Sequence, residues 1–290
     1  MSKPTTPDKE DLRSLALAAG FFRVSFLSPF VSVNTQGAPS LLTAALVYGN
    51  CFSDELSPGS GPDLPRAFIA PFARRNYYRE AVKRLQGLSK EFRSKFGGEK
   101  SDFRILCNSP VPEKPLAAAS GLGALGRNGL ILTKEAGSLF IIAAMTLPWE
   151  LPGDDATPEG FPLCSLCDPL HPPCAASCPT GAVRGDGTLT LSKCIQWYAS
   201  GHGDVPEEVR RWWGKRLYGC TECQDACVWN RQIIKGVETA EGPLPAFFDP
   251  QELLDMDDES LKKRFRGTAL GLSWLGPAVI KGNASRVLHL

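Results

Sequence analysis

The sequence predicts an α/β (α+β) domain followed by a small cysteine-rich module and a helical tail. Three observations carry that expectation. The first half alternates helical apolar stripes with short apolar runs, eight of the ten cysteines fall between residues 164 and 227, and seven prolines between residues 148 and 173 mark a seam. The predicted domains are 1–152, 153–235 and 236–290.

In the first domain, Leu12, Leu15 and Ala19 stand at helical spacing over 8–19, and Gly20 is placed to end the helix. Apolar runs at 21–27 and 41–48 read as strands. The stretch 53–65 carries Ser57-Pro58-Gly59-Ser60-Gly61-Pro62 and reads as a loop. The strongest helix is expected over 73–96, where Tyr78, Ala81, Val82, Leu85 and Leu88 form a stripe between basic positions. Beyond it, 103–107 reads as a strand, 115–120 as a short helix, and 130–133 and 139–147 as buried strands. The tail shows helical stretches at 259–265 and 274–288.

Composition excludes several classes. A hydrophobic share of 43% and a charged share of 22% are those of a globular protein. With 32 basic and 31 acidic side chains the net charge is +1, which argues against a global electrostatic grip on nucleic acid. The longest strongly apolar run, 136–147, falls short of the roughly 20 residues that a bilayer requires. No membrane partner is expected. The polar first dozen residues lack an apolar h-region, so a cytoplasmic location is expected.

Ten cysteines beside three histidines in a chain of 290 residues favour metal or catalytic use over a disulfide scaffold. The first group is Cys164-Ser-Leu-Cys167, six residues, then Cys174-Ala-Ala-Ser-Cys178-Pro179. The second is Cys194, a gap, then Cys220-Thr-Glu-Cys223-Gln-Asp-Ala-Cys227. A cuboidal iron–sulfur cluster needs four converging thiolates, and a two-residue spacer lets neighbouring cysteines reach adjacent irons while backbone N–H groups face the sulfurs. In two-cluster ferredoxins the cysteine before proline crosses to the other cluster. That rule gives Cys164, Cys167, Cys174 and Cys227 to cluster one, and Cys178, Cys194, Cys220 and Cys223 to cluster two. Thr180-Gly-Ala-Val183, the turn Gly185-Asp-Gly187 and residues 188–191 read as the hairpin of a ferredoxin core. Two structural zincs are the alternative, but they leave Cys178-Pro179 and the isolated Cys194 unexplained. The six-residue spacer from Asp168 to Pro173 exceeds the usual two and reads as an insertion at the surface of cluster one. Cys51 has no partner motif and reads as structural.

The second half resembles the epoxyqueuosine reductase family, and more distantly the cobalamin-dependent reductive dehalogenases. The matching residues are Cys178-Pro-Thr-Gly-Ala182, Cys194-Ile-Gln-Trp-Tyr198, Val205-Pro-Glu-Glu208 and Arg216-Leu-Tyr-Gly-Cys-Thr-Glu-Cys-Gln-Asp-Ala-Cys-Val-Trp-Asn230. In the first half, Phe72-Ala-Arg-Arg-Asn-Tyr-Tyr78 is similar to that family's tyrosine–arginine segment. Ser109-Pro-Val-Pro-Glu-Lys114 and Gly121-Leu-Gly-Ala-Leu-Gly-Arg-Asn128 are similar to its cobalamin-facing stretch. The resemblance implies a nitroreductase-like cobalamin-binding domain followed by a two-cluster ferredoxin-like domain. It implies an oxidoreductase fed by an external ferredoxin- or flavodoxin-type donor. Base-off cobalamin would then meet Asn108, Ser109, Pro110, Val111, Glu113, Lys114, Gly121, Gly123, Gly126, Arg127 and Asn128.

Three departures shape the functional expectation. The family's acid is an aspartate seven residues before the lysine of Pro-Val-x-Glu-Lys; that position is Cys107 here, followed by Asn108. Its arginine-aspartate-tyrosine-histidine is Arg75-Asn76-Tyr77-Tyr78. The chain also ends about where the helical repeats that hold tRNA in full-length members would begin. A small-molecule substrate is therefore expected rather than tRNA, with Tyr77, Tyr78 or Cys107 as the proton donor that a reduction needs. The competing expectation is an electron carrier or corrinoid-reducing module without substrate chemistry. The Gly121, Gly123, Gly126 spacing matches a dinucleotide fingerprint but lacks its strand–turn–helix setting. His171, His202 and His289 lie outside any Asp-x-His-x-x-Gly motif that would give cobalt a histidine.

Overall fold

In the computed structural model, which describes residues 6–28, 37–48, 66–156, 160–231 and 244–289, the elements follow the expected alternation. They begin with α1 (Lys9–Ala18), β1 (Arg23–Leu27), β2 (Ser40–Val47), β3 (Ala67–Ile69) and α2 (Tyr77–Phe96). Next come β4 (Ile105–Leu106), α3 (Glu113–Ala119), β5 (Ala124–Leu125), β6 (Ile131–Leu132) and β7 (Phe140–Leu147). Then follow α4 (Pro173–Ala176), α5 (Ile195–Ala199), α6 (Glu207–Arg210), β8 (Arg216–Tyr218), α7 (Glu222–Asp225) and α8 (Val228–Arg231). The last are β9 (Phe247–Phe248), α9 (Pro250–Asp255), α10 (Asp258–Phe265) and α11 (Pro277–Leu288). The expected loop at 53–65 and Cys51 lie outside the described residues.

Two compact units emerge. The first takes the described residues of Met1–Val47, Tyr77–Gly126 and Leu130–Leu166; the second takes those of Tyr48–Asn76, Arg127–Gly129 and Cys167–Leu290. The expected boundaries at 152 and 236 are not where contacts divide. A proline-rich composition marks a change of local sequence, whereas contacts are set by which apolar faces meet.

The first unit holds an antiparallel sheet in the order β1-β2-β7-β4. β2 and β7 pair from Ser40↔Leu147 to Val47↔Phe140. Both are buried along nearly their whole length, which is why they read as continuous apolar runs rather than alternating ones. On α2 the expected stripe is buried at Ala81, Leu85 and Leu88, while Tyr78 and Val82 are half-buried and Tyr77 and Phe92 complete the buried face. Phe92, Phe103 and Trp149 form an aromatic cluster with centroids 5.6–6.5 Å apart, at the spacing of favourable edge-to-face packing. The helix starts four residues later than expected. The Arg74 carbonyl accepts the Leu244 N–H at 3.1 Å and the Arg74 Nε donates to the Leu244 carbonyl at 3.0 Å, so this backbone is committed elsewhere.

The second unit is built on β8-β3-β9, with β3 parallel to β8 and antiparallel to β9. Ile69, Ala199, Trp213, Leu217, Leu253, Leu261, Phe265, Ile280 and Ala284 share one core. The expected tail is thus part of this core rather than a layer added to it. Buried Asn283 on α11 donates through Nδ2 to the carbonyls of Ala199 and Leu217, at 3.0 and 2.9 Å. That satisfies two otherwise internal backbone acceptors.

In the first unit Asp154 ties α1 to β1. It accepts from Lys9 Nζ at 2.7 Å, Arg13 at 2.9 Å and the Phe26 N–H at 3.0 Å. Burial alone would raise its pKa, but these three donors outweigh burial and hold the carboxyl below the usual range. Its contribution to stability is therefore present above the unfolded pKa near 3.9 and is lost as pH falls through the lower folded value. Asp154→Asn is expected to cost about 1–2 kcal/mol at neutral pH, a charged-bond value discounted for partial exposure. Thermal unfolding followed by circular dichroism should show the gap from wild type closing as pH drops below the carboxylate range. A gap independent of pH would contradict this.

Candidate metal centre

The first cysteine group is shaped by its turn chemistry. Pro173 starts α4 at a position where its missing N–H costs nothing, and Cys174 on that turn is buried. Cys178 follows, and then the expected hairpin closes: Val183 bridges Leu189, Arg184 N–H reaches the Thr188 carbonyl at 3.2 Å, and Thr190 N–H reaches the Ala182 carbonyl at 2.8 Å. The Asp186 carboxylate accepts from the Thr188 N–H at 3.0 Å and holds the turn. This winding turns the N–H groups of Val183, Thr180 and Ala182 and the Thr180 hydroxyl onto Cys178. Burial pushes that thiol up, but the donors outweigh it and hold its pKa below the ordinary value. The Thr180 oxygen stands 3.7 Å from the sulfur.

The second group meets the first directly. The Ser177 hydroxyl donates to the Glu222 carbonyl at 3.0 Å, joining α4 to α7. β8 runs straight into Cys220, whose N–H donates to Gln196 Oε1 at 3.2 Å. Burial pushes the Cys220 thiol up to about 11, against the opposing charge of Arg216 and the Glu222 N–H. Cys223 is pushed up furthest, first by burial and then by the charges of Cys220, Cys194, Cys178 and Cys174. Cys223 therefore lies near Cys220, Cys194 and Cys178, expected with it in cluster two, and also near Cys174, expected in cluster one.

No disulfide joins the described cysteines. Among the described residues no three His, Cys, Asp or Glu side chains form a group for a single metal ion. Thiolates around one zinc stand about 3.8 Å apart, given zinc–sulfur bonds near 2.3 Å, and those around a four-iron cluster stand wider. Mutually repelling thiols with N–H groups aimed at one sulfur fit an iron–sulfur cluster, whose cations remove the repulsion. For cluster one, Cys164 falls in the first unit and Cys167, Cys174 and Cys227 in the second.

The residues expected to meet cobalamin divide three ways. Asn108 has a left-handed φ of 52°, and the Ser109 N–H donates to Glu113 at 3.1 Å, shaping the turn before α3. Val111 packs with Leu27, Leu41, Leu106, Leu116 and Ala144 and is a core residue. Gly121, Gly123 and Gly126 follow α3, so the two segments sit at opposite ends of a helix about 10 Å long. A Cβ at Gly121 would stand 2.1 Å from the Asp155 carbonyl oxygen, and one at Gly123 would stand 2.6 Å from both Ile131 and the Leu132 carbonyl. The atoms a Gly123 Cβ would meet thus belong to β6. These missing Cβ atoms are used by the fold itself and do not measure ligand room. Arg127 and Asn128 belong to the second unit, where Arg127 donates to the Gly185 carbonyl at 3.0 Å and Asn128 to the Cys223 carbonyl at 3.5 Å. The strand β6 that follows confirms that the glycine spacing is no dinucleotide fingerprint.

Of the three candidate acids, Tyr77 is only 3% exposed and Tyr78 is half-buried. The Cys107 thiol faces the carbonyls of Tyr78 and Ile142 at 3.9 and 3.8 Å. Burial, and then the Glu113 charge, push it up to about 12. The sequence reading missed Tyr48 and Gln224, which are both buried and joined at 2.8 Å. Neither shows a spacing signal, because their partnership spans most of the chain.

Two cysteine groups with a ferredoxin-like hairpin, in a chain that also carries an α+β unit, have the make-up of an iron–sulfur protein. Residues 163–230 match the 4Fe-4S double cluster binding domain. The chain is 34% identical to epoxyqueuosine reductase of Salmonella typhimurium over 219 residues, 72% of this chain and 55% of that protein. It is 35% identical to that of Escherichia coli over 192 residues, 63% and 49% respectively. The chain thus spans about half the length of the curated relatives it matches, 55% and 49%. The fold superposes on epoxyqueuosine reductase of Streptococcus thermophilus with a TM-score of 0.78 at 21% identity, and on that of Bacillus subtilis with 0.80 at 24%. Each superposition covers 97% of this chain and 80% of the other. The chain is thus similar in sequence to the epoxyqueuosine reductases over about half of their length, and in fold to their solved structures.

Anaerobically reconstituted protein is expected to hold about eight irons and eight sulfides per chain, the content of two 4Fe–4S clusters. Cys194→Ser should damage only the second cluster and Cys227→Ser only the first, read by iron analysis and electron paramagnetic resonance. Stoichiometric zinc without broad visible absorption would refute the assignment.

Proposed function

We propose that the chain is an iron–sulfur reductase acting on an organic substrate with electrons from an external ferredoxin- or flavodoxin-type donor. The observation that carries this reading is the closing of the two cysteine groups on one another through the Ser177 hydroxyl and the Glu222 carbonyl, with Cys220, Cys194, Cys178 and Cys174 all acting on half-buried Cys223, in a chain similar to these reductases. Bound clusters supply one-electron transfer. The chain's own contribution is four thiolates per cluster, the N–H groups over Cys178, and the Arg216–Glu222 pair beside Cys220.

On the resemblance, the protein also takes base-off cobalamin at residues 108–114 and 121–128. That group supplies a strong nucleophile and reductant when bound, and no residue assignment below depends on it. Reduction of a carbon–oxygen or carbon–halogen bond consumes protons. A thiol at about 12 gives up its proton poorly at neutral pH, and Tyr77 is buried, so the donor role falls to Tyr78.

A solved epoxyqueuosine reductase holds an epoxyqueuosine-modified tRNA stem loop. For this chain, the thiol at the family's aspartate position argues for slow turnover of such a substrate and for a different, smaller one. Reconstituted protein with hydroxocobalamin and dithionite should convert an epoxyqueuosine stem loop slowly or not at all. Cys107→Asp should raise the rate at least about tenfold, below the 10²–10⁴ that positioned acids supply, and Tyr78→Phe should remove the residual rate. Robust conversion by the wild type that Cys107→Asp does not increase would reject the proposal. Hydroxocobalamin should change its spectrum on binding, and exposed Lys114→Ala should weaken that binding. An unchanged spectrum would leave the two-cluster electron carrier.

A further inference from the structure

The ligand loop of cluster two is gripped by buried side chains from far outside it. Gln224, between Cys223 and Asp225, donates through Nε2 to the Tyr48 hydroxyl at 2.8 Å. Asn230 Nδ2 donates to the Gln224 carbonyl at 2.7 Å, and Asn128 Nδ2 to the Cys223 carbonyl at 3.5 Å. All four side chains are buried. The Tyr48 ring is itself set edge-on to Phe72, whose ring is edge-on to Tyr218, at 6.1 and 6.2 Å.

A planar trans peptide ties the direction of each carbonyl to that of the following N–H. Holding the Cys223 and Gln224 carbonyls therefore aims the N–H groups of Gln224 and Asp225. Both meet the Thr221 carbonyl, at 2.7 and 2.8 Å. The Thr221 carbonyl shares a peptide plane with the Glu222 N–H, and that N–H is the one that faces the Cys220 sulfur. Three buried amides and one phenol are thus linked, through the peptide planes 223/224 and 224/225 and, by their hydrogen bonds to the Thr221 carbonyl, the plane 221/222, to a donor on a cluster sulfur.

We propose that Tyr48 and Asn128 are positioning residues that set the reduction potential of cluster two by fixing this run of peptide planes. The inference rests on the iron–sulfur reading of Cys178, Cys194, Cys220 and Cys223. Hydrogen bonds to the sulfurs and solvent access are among the terms that set cluster potentials, and a buried polar network loses its geometry when one member is left unsatisfied.

The test is a redox titration of the reconstituted full chain followed by electron paramagnetic resonance, with Cys194→Ser identifying the cluster-two signal. Tyr48→Phe and Asn128→Ala should keep both clusters, shift the cluster-two midpoint and signal shape, and leave cluster one in place. Selective loss of cluster two with unchanged circular dichroism would overturn the proposal, because it would show that these residues retain the cluster rather than set its potential. An unmoved cluster-two midpoint in both variants, or equal shifts of both clusters, would overturn it. Zinc in the wild type would overturn both this proposal and the cluster assignment; iron with unmoved potentials would overturn this proposal alone.

Discussion

Thiols gathered in a desolvated pocket resist ionising, and each that does ionise opposes the next. Cys223 carries that burden most, with four other cysteines acting on it, and the second unit is organised around relieving it. The hairpin after Cys178 turns three N–H groups inward. Arg216, at the start of β8, places its charge beside Cys220. β8 is in turn held by α11, whose Asn283 binds the Leu217 carbonyl. The line from the last helix to the ligand loop is short, which explains why residues of the expected tail share a core with Trp213 and Leu217.

The first unit obeys a different constraint. Its central strands are buried on both faces, so helices must cover both, and α1 is fixed to the sheet by the charges on Asp154. Strand β4 ends at Leu106 and is followed by Cys107 and by Asn108 in a left-handed conformation. A non-glycine residue there costs energy and persists only when its surroundings impose it. Glu113 helps to impose it by holding the Ser109 N–H. Burial raises the pKa of Cys107 most, and the same carboxylate adds to it.

What could be read from the sequence was local. The first helix runs within one residue of the expected 8–19 and Gly20 follows its end, and the hairpin at 180–191 closes as its turn residues demand. The paired buried strands were legible because an eight-residue apolar run between turns admits few alternatives. Cysteine spacing was legible because metal ligation fixes separations along the chain. Where the expectation failed, a distant partner decided. The start of α2 moved because Arg74 bonds Leu244, 170 positions away. Tyr48 carried no signal because its partner, Gln224, lies 176 positions away.

The segment from Gly121 to Asn128 shows how one motif can serve two structural demands. Gly121 and Gly123 lack a Cβ because the Asp155 carbonyl and strand β6 occupy that space. Arg127 and Asn128 sort instead with the second unit, one holding the hairpin after Cys178 and the other the carbonyl of Cys223. A resemblance assigns the whole stretch to one cofactor because motifs are matched as strings. The hydrogen bonds divide it. Its glycines are required by the packing of a hairpin, and its last two side chains by the backbone geometry of a cluster ligand loop. A substitution at Gly123 would therefore report on folding, and one at Asn128 on the environment of the cluster.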